Sequence, residues 1–220
     1  ENMKIAGLIC KNFNNGFSRY GGDSDLSTYF IEQNKIVISD VDTRAVVRHI
    51  RDKGAMNAVI STNNLSISEL EKILSKVPSM EGLELSSSVT TQKPYFYGDP
   101  KSKIKIAVLD LGVKRNILKC MTDRGCYLQV FPMNTKFEEM SNWNPHAFFL
   151  SNGPGDPSAM PQVIEQVKKI TNDGRAVFGI CLGHQVIALS EGISTYKMHN
   201  GHRGINHPVR NLISGKAEVT

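Results

Sequence analysis

Short apolar runs and amphipathic stretches alternate through the second half of the chain. Residues 104–110 (Ile-Lys-Ile-Ala-Val-Leu-Asp) are typical, because β-branched and aliphatic side chains fill a run that is too short for a buried helix. Such runs predict strands at residues 104–110, 127–131, 147–150 and 176–180, and helical periodicity predicts helices at residues 114–124, 161–171 and 182–190. The alternation predicts an α/β fold, with a mostly parallel sheet and helices on both faces. Ligands in such folds bind at the carboxyl ends of the strands.

The first part of the chain repeats these patterns on a smaller scale. Residues 35–39 predict a short strand, and Asp42 and Thr43 predict the cap of a helix that ends at Gly54. One face of this helix is apolar and carries Val46, Val47 and Ile50. The other face is largely basic and carries Arg44, Arg48 and Arg51. We expect a surface helix of a supporting domain rather than a binding site.

Turn-forming residues separate the two parts. Ser, Thr, Pro and Gly are concentrated in residues 86–100, which predicts a connection between compact regions. A chain of 220 residues is long enough for two modest domains. We therefore expect an amino-terminal α/β domain at residues 1–100 and a second domain at residues 101–220.

Composition and charge narrow the function only by exclusion. The net charge is +5, but basic residues are interspersed with acidic ones, which argues against nucleic-acid binding. No apolar run approaches the roughly 20 residues that span a bilayer, and no secretory signal is visible, so we expect a cytoplasmic protein without a membrane partner. The four cysteines have no metal-ligand or disulfide spacing, which predicts no metal site: Cys10, Cys120, Cys126 and Cys181.

A glycine-rich loop follows the strand predicted at residues 147–150. Residues 151–157 read Ser-Asn-Gly-Pro-Gly-Asp-Pro, and the glycines Gly153 and Gly155 let backbone N–H groups approach a ligand. Taken alone, this loop is equally typical of an ordinary turn.

A cysteine lies at the corner between the last predicted strand and its helix. Residues 179–185 read Gly-Ile-Cys-Leu-Gly-His-Gln, which is the layout of a nucleophile elbow with sulfur in place of oxygen. Gly179 and Gly183 flank the corner because side chains there would collide. The helix N-terminus favours the thiolate of Cys181, and its N–H groups can hold an oxyanion. We expect the Leu182 N–H and the Gly153 loop to supply the donors, from adjacent strand ends that face one pocket.

Together the two loops resemble the class I, triad-type glutamine amidotransferases. Two more segments narrow the resemblance to the small-chain family of carbamoyl phosphate synthetase: residues 40–44 (Asp-Val-Asp-Thr-Arg), followed by Arg48, Arg51 and Gly54, and residues 197–209 with their Gly-His-Arg-Gly-Ile-Asn-His-Pro-Val core. The resemblance extends over nearly the whole chain and implies a flavodoxin-like fold for the second domain.

The resemblance also implies roles for individual residues. Cys181 would be the nucleophile, Leu182 and Gly153 would surround the oxyanion, and Gln185 and Gly155 would contact glutamine. His184 is expected to be structural rather than a base. For the remaining histidines of the carboxyl-terminal segment we expect loop-shaping hydrogen bonds rather than metal ligation: His199, His202 and His207.

This sequence departs from the family in two places. No histidine is followed two positions later by glutamate, whereas the family's general base occurs as His-x-Glu. We expect that pair to lie beyond Thr220. We also expect the family's opening β-rich portion, which contributes a glutamine-binding serine, to be incomplete at the start of this chain.

No Gly-x-x-x-x-Gly-Lys-[Ser/Thr] phosphate loop is present, so no cofactor is expected in this chain. The resemblance implies a large partner chain that uses ATP, Mg²⁺ and bicarbonate.

The implied activity is hydrolysis of L-glutamine to glutamate and ammonia, and the ammonia would enter carbamoyl phosphate for pyrimidine and arginine synthesis. Two alternatives remain open. One is another hydrolase or amidotransferase with a cysteine elbow, such as the subunit of a different synthetase, although the two-domain layout argues against it. The other is a non-catalytic interaction module, although an intact elbow around Cys181 argues against that.

Overall fold

The computed structural model describes residue 3 and residues 5–16, 22, 24–201 and 208–219. The chain forms two compact units, Glu1–Val77 together with Lys197–Thr220, and Pro78–Tyr196. The strands are β1 (Gly7–Ile9), β2 (Ile36–Ile38), β3 (Tyr95–Tyr97), β4 (Ile104–Asp110), β5 (Cys126–Pro132), β6 (Ala147–Leu150), β7 (Ala176–Gly179), β8 (Pro208–Arg210) and β9 (Ala217–Val219). The helices are α1 (Leu26–Glu32), α2 (Thr43–Lys53), α3 (Ile67–Leu74), α4 (Arg115–Thr122), α5 (Phe137–Asn142), α6 (Pro161–Asn172) and α7 (Leu182–Ser190).

The larger unit is built on a five-stranded sheet in the order β3-β5-β4-β6-β7. The four strands predicted from the apolar runs are parallel to their neighbours, as expected, and β3 is antiparallel at one edge. The first parallel strand, β4, lies between the second and the third, so the winding of the chain reverses there. In folds with this topology, ligands bind at the carboxyl ends of the strands, near the point where the strand order reverses.

Both faces of this sheet are covered. Successive residues of β4 point to opposite faces, so Ala107 and Leu109 pack with α5, α6 and α7, whereas Val108 packs with α4. The first face holds the larger cluster, including Phe148, Leu182 and other residues that are almost fully buried. The predicted α/β fold, with a mostly parallel sheet between two helical layers, is confirmed.

Residues 86–100, which the composition predicts to connect two compact regions, contain regular secondary structure. Ser86–Ser88 form a 3₁₀ turn in which Ser86 is fully buried, and Tyr95–Tyr97 pair with β5 as the edge strand β3. A three-residue strand is too short to show an alternating pattern, and its pairing partner lies about 30 residues later. The division into domains at residue 100 stays a prediction, while the compact units separate after Val77.

The smaller unit contains a second α/β arrangement. β1 and β2 form a parallel pair, and α1 follows its cap Asp25, whose carboxylate accepts the Thr28 N–H. The predicted cap of α2 is confirmed, because Asp42 accepts the Ala45 N–H at 3.0 Å. The helix ends at Gly54 as expected, with a φ of +89° but with an extended ψ rather than the left-handed value. In the described part of the chain α2 has no buried residue, which agrees with a surface helix.

Among the helices of the described residues, none combines the length and the apolar character needed to cross a bilayer.

Candidate active site

Cys181 occupies a strained corner between β7 and α7. Its φ is +52° and its ψ is −109°, a combination that residues with a Cβ rarely adopt. The surrounding structure must hold this conformation, because the local cost is of the order of 1–3 kcal/mol. The side chain is exposed, while the next residue, Leu182, is almost fully buried and anchors the helix. The predicted nucleophile elbow is therefore present.

The two glycines around the corner are required by close backbone contacts. A Cβ on Gly183 would lie 2.3 Å from the carbonyl oxygen of Leu150, at the end of β6. A Cβ on Gly179 would lie 2.7 Å from the carbonyl carbon of Gly183 and equally close to the His184 nitrogen. Neither distance is compatible with a side chain, so both positions must be glycine if the helix is to leave the strand at this angle.

The glycine-rich loop lies beside the elbow. β6 and β7 are paired in parallel with Leu150 opposite Gly179, so the loops that follow them start side by side. Gly153 is packed so tightly that a Cβ would lie 2.1 Å from the Leu111 carbonyl oxygen and 2.8 Å from a methyl carbon of Leu182. The predicted placement of Gly153 and Cys181 at adjacent strand ends is confirmed.

Two backbone N–H groups at this junction are unused. Within the described residues, neither the Gly153 N–H nor the Leu182 N–H has a hydrogen-bond acceptor. Leu182 is the first residue of α7, where a helix leaves its N–H groups without intrahelical partners. The next amide, Gly183 N–H, is already bonded to Ser151 and Ile180 carbonyls. Two free donors on adjacent loops are what an oxyanion hole requires.

The other predicted contacts lie close to this junction. Gln185 is exposed one turn after the elbow, and its N–H donates to the Cys181 carbonyl at 3.1 Å. Gly155 has a φ of +98°, and a Cβ there would lie 2.8 Å from the Leu83 carbonyl oxygen. The close backbone of Leu83 is therefore enough to explain why residue 155 is glycine, without any contact to a ligand. The assignment of Gln185 and Gly155 to a glutamine pocket stays a prediction.

Three polar residues that the sequence did not single out hold these loops together. Asp110, at the end of β4, is buried and accepts the N–H groups of Gly112 and Val113 at 2.9 and 2.7 Å. The Asn152 side chain accepts the Lys114 N–H and donates to the Gly112 carbonyl, both at 3.1 Å. The third residue is Ser151, which is fully buried. A polar residue at the carboxyl end of a buried strand, or within two residues after it, is the signal that could have identified all three.

A second segment, residues 82–86, packs against the glycine-rich loop. Asp156 accepts the Gly82 N–H at 2.8 Å, and the Ser86 hydroxyl donates to the Pro154 carbonyl at 3.2 Å. A cavity of about 740 Å³ opens next to this segment, and its lining includes Thr91, Lys136 and Gln162 but neither Gly153 nor Cys181. The expectation that the two loops face one pocket stays a prediction.

Two of the histidines singled out in the sequence, His184 and His199, lie within the described residues. His184 is exposed in the first turn of α7. His199 Nε2 donates to the Arg51 carbonyl at 3.1 Å, which is the expected kind of loop-shaping hydrogen bond. The predictions for His202 and His207 lie outside the described residues.

The other three cysteines occupy different environments. Cys120 is exposed within α4, and Cys10 is partly buried after β1. Cys126 begins β5, and burial raises the pKa of its thiol. Only Cys181 combines exposure with a position at the start of a helix.

Comparison with known proteins agrees with this geometry. Residues 107–220 match the family model "Glutamine amidotransferase class-I", and residues 1–60 match "Carbamoyl-phosphate synthase small chain, CPSase domain". The resemblance predicted from the two loops and the amino-terminal segment is confirmed.

The chain is also similar to individual curated proteins named carbamoyl phosphate synthase small chain. It is 39% identical to the one from Chlorobaculum tepidum, over all of this chain and 61% of the relative. It is 38% identical to the one from a Synechococcus species, over 99% of this chain and 58% of the relative, and 39% identical to the one from Vibrio parahaemolyticus, over all of this chain and 62% of the relative. The chain thus spans about three fifths of the length of these relatives. Since the amidotransferase model covers more than half of the 220 residues, the chain belongs to the class-I glutamine amidotransferase family.

Proposed function

We propose that this chain is the glutamine-hydrolysing part of a carbamoyl phosphate synthase and that Cys181 is its nucleophile. The observation that carries the proposal is the junction of the elbow and the glycine-rich loop, which follow paired strands: the Cys181 thiol is exposed, and within the described residues the Gly153 and Leu182 N–H groups have no acceptor. The match of residues 1–60 to the CPSase domain favours this synthase over other amidotransferase complexes.

The chemistry begins with attack of the Cys181 thiolate on the side-chain amide carbon of L-glutamine. A C–S bond forms while the C–O double bond opens, and the negative charge on oxygen is held by the Gly153 and Leu182 N–H groups. The C–N bond then breaks, the nitrogen takes up the proton that the thiol gave up on forming the thiolate and leaves as ammonia, and a γ-glutamyl thioester remains. Water hydrolyses the thioester, which releases glutamate and restores the thiol. Gln185 and Gly155 would contact the bound glutamine.

The ammonia would be used by a large partner chain, which would supply ATP, Mg²⁺ and bicarbonate chemistry. This division of labour is supported by the sequence, which has no phosphate-binding loop of the Gly-x-x-x-x-Gly-Lys-[Ser/Thr] type. The product, carbamoyl phosphate, would serve pyrimidine and arginine synthesis.

A glutamine-directed electrophile tests the proposed nucleophile. We expect a diazoketone analogue of glutamine to label Cys181 and to leave Cys10, Cys120 and Cys126 unmodified, because only Cys181 is exposed at a helix N-terminus, next to a Leu182 N–H that has no acceptor among the described residues. Peptide mapping by mass spectrometry would locate the label, and excess L-glutamine should slow its attachment.

Cys120 is the internal control for this experiment. It is exposed like Cys181 but lies near the carboxyl end of α4 rather than at a helix N-terminus, and iodoacetamide, which needs no glutamine site, should modify it. If the glutamine analogue labelled Cys120 as fast as Cys181 in the folded protein, the proposed site would lose its main support.

A further inference from the structure

The hydroxyl of Ser151, just after the end of β6, both accepts and donates a hydrogen bond. Ser151 Oγ accepts the Leu111 N–H at 2.9 Å and lies 2.8 Å from the carbonyl oxygen of Asn152. A backbone N–H can only donate and a carbonyl oxygen can only accept, so the hydroxyl proton must point to Asn152. Since Ser151 is fully buried, water cannot replace either contact.

The carbonyl that Ser151 holds belongs to the same peptide group as the Gly153 N–H. A peptide group is planar, so fixing the direction of its C=O also fixes the direction of its N–H. A hydrogen bond to the carbonyl oxygen polarises the group and strengthens the N–H as a donor. The Gly153 side of the peptide is fixed as well, because the Leu111 carbonyl oxygen leaves no room for even a Cβ.

Ser151 also contacts the helix that follows the nucleophile. Its own carbonyl oxygen accepts the Gly183 N–H at 3.1 Å. Gly183 directly follows Leu182, which carries the other free N–H. One buried residue thus links the peptide of the first donor to the start of the helix that carries the second.

We propose that Ser151 is a positioning residue for glutamine hydrolysis, which aims the Gly153 N–H at the oxyanion and sets its distance from the elbow. The proposal rests on the proposed function of Cys181 and adds a residue that acts without touching glutamine. It predicts an effect on the transition state rather than on ground-state binding, since the negative charge on the amide oxygen develops only during attack.

Ser151→Ala in the assembled synthetase tests this role. We expect the glutamine-dependent kcat to fall roughly 10- to 100-fold, because a misdirected donor loses part of the stabilisation that a preorganised donor supplies. The KM for glutamine should change by less than about threefold. The ammonia-dependent rate and the labelling of Cys181 by iodoacetamide should be unchanged, since neither reaction forms an oxyanion at this site.

Thr90→Val is the matched control. The Thr90 hydroxyl also donates to a backbone carbonyl, that of Asp110 at 2.6 Å, and accepts a backbone N–H, that of Met133 at 3.0 Å. Removal of the Thr90 hydroxyl breaks the same two kinds of bond, to Asp110 at the end of β4 and to Met133 just after β5, but leaves the Gly153 peptide untouched, so glutamine-dependent kcat should stay near the wild-type value. If Ser151→Ala does not fold, Ser151→Cys keeps a similar shape with a weaker donor and should lower kcat in the same direction.

Three results would overturn the positioning role: a Ser151→Ala kcat within about twofold of wild type, an equal loss in Thr90→Val, or a parallel loss of the ammonia-dependent rate. Failure of the underlying function is distinguishable. If Cys181→Ser retained glutamine-dependent activity, the proposed nucleophile would be wrong whatever Ser151 does. If Cys181→Ser were inactive and Ser151→Ala fully active, only the positioning role would fail.

Discussion

Replacing Cys181 with serine is expected to abolish glutamine-dependent carbamoyl phosphate formation in the assembled synthetase and to leave ammonia-dependent formation largely intact. The substitution changes one atom of an exposed side chain, so the elbow and its contacts should persist. A serine hydroxyl at this site is a far weaker nucleophile than a thiolate, and the glutamine-dependent rate should fall by about 10³-fold or more. Steady-state assays with each nitrogen source on the same preparation would measure both rates.

Cys120→Ser provides the control for this experiment. Cys120 is also exposed and belongs to the same compact unit, but its Sγ contacts only the Asn116 side chain among the hydrogen bonds of the described residues. Both activities should be retained in this variant. If Cys181→Ser assembled normally and lost both activities equally, Cys181 would not act by supplying ammonia and the proposed function would be withdrawn.

The second large effect is expected for Gly183→Ala. A Cβ at this position would lie 2.3 Å from the Leu150 carbonyl oxygen and 2.7 Å from its carbonyl carbon, both of which belong to a central strand and cannot move aside. Alanine favours a helix over glycine by about 1 kcal/mol, but the clash must push α7 away from β6. We expect the free energy of unfolding to fall by about 3 kcal/mol and glutamine-dependent activity to fall roughly 100-fold.

Urea unfolding followed by the fluorescence of Trp143, the single tryptophan, would report on this unit. Gly125→Ala is a suitable comparison, because Gly125 has a φ of +79° and an added Cβ would meet no atom within 4 Å. That variant measures the cost of backbone conformation alone, which is of the order of 1 kcal/mol. A Gly183→Ala protein as stable as wild type would show that the close contact between α7 and β6 does not exist.

Much of the larger unit could be predicted from the chain because its signals are local. β4 could be predicted because its seven residues are mostly apolar. The start of α7 could be predicted because the helix directly follows a cysteine with a glycine two positions away on each side. The predicted ends of β5, α4 and α6 differ from the observed ones by one or two residues, which is the usual uncertainty at element ends. The elbow could be located for the same reason, since a sharp strand-to-helix turn requires a particular local composition.

Other features depended on partners that are distant in sequence. β3 is a strand only because Tyr95–Tyr97 find the edge of β5, and no three-residue pattern could have shown it. In the smaller unit the strand predicted at residues 35–39 is present as β2, whereas β1 was missed because its partner lies about 30 residues later. Such elements are stabilised by hydrogen bonds to another strand rather than by their own periodicity.

The amino-acid sequence by itself determined the parallel α/β core, the placement of Cys181 on a strained turn and the glycines that make this turn possible, because each follows from hydrophobic periodicity or from the absence of a Cβ. The tertiary structure alone decided that Ser151 joins Leu111, Asn152 and Gly183. Hydrogen bonds between loops some 30 to 40 residues apart depend on which strands become neighbours in the sheet. A polar residue at the end of a strand can be noticed in the sequence, but its bonding partners cannot be predicted from it.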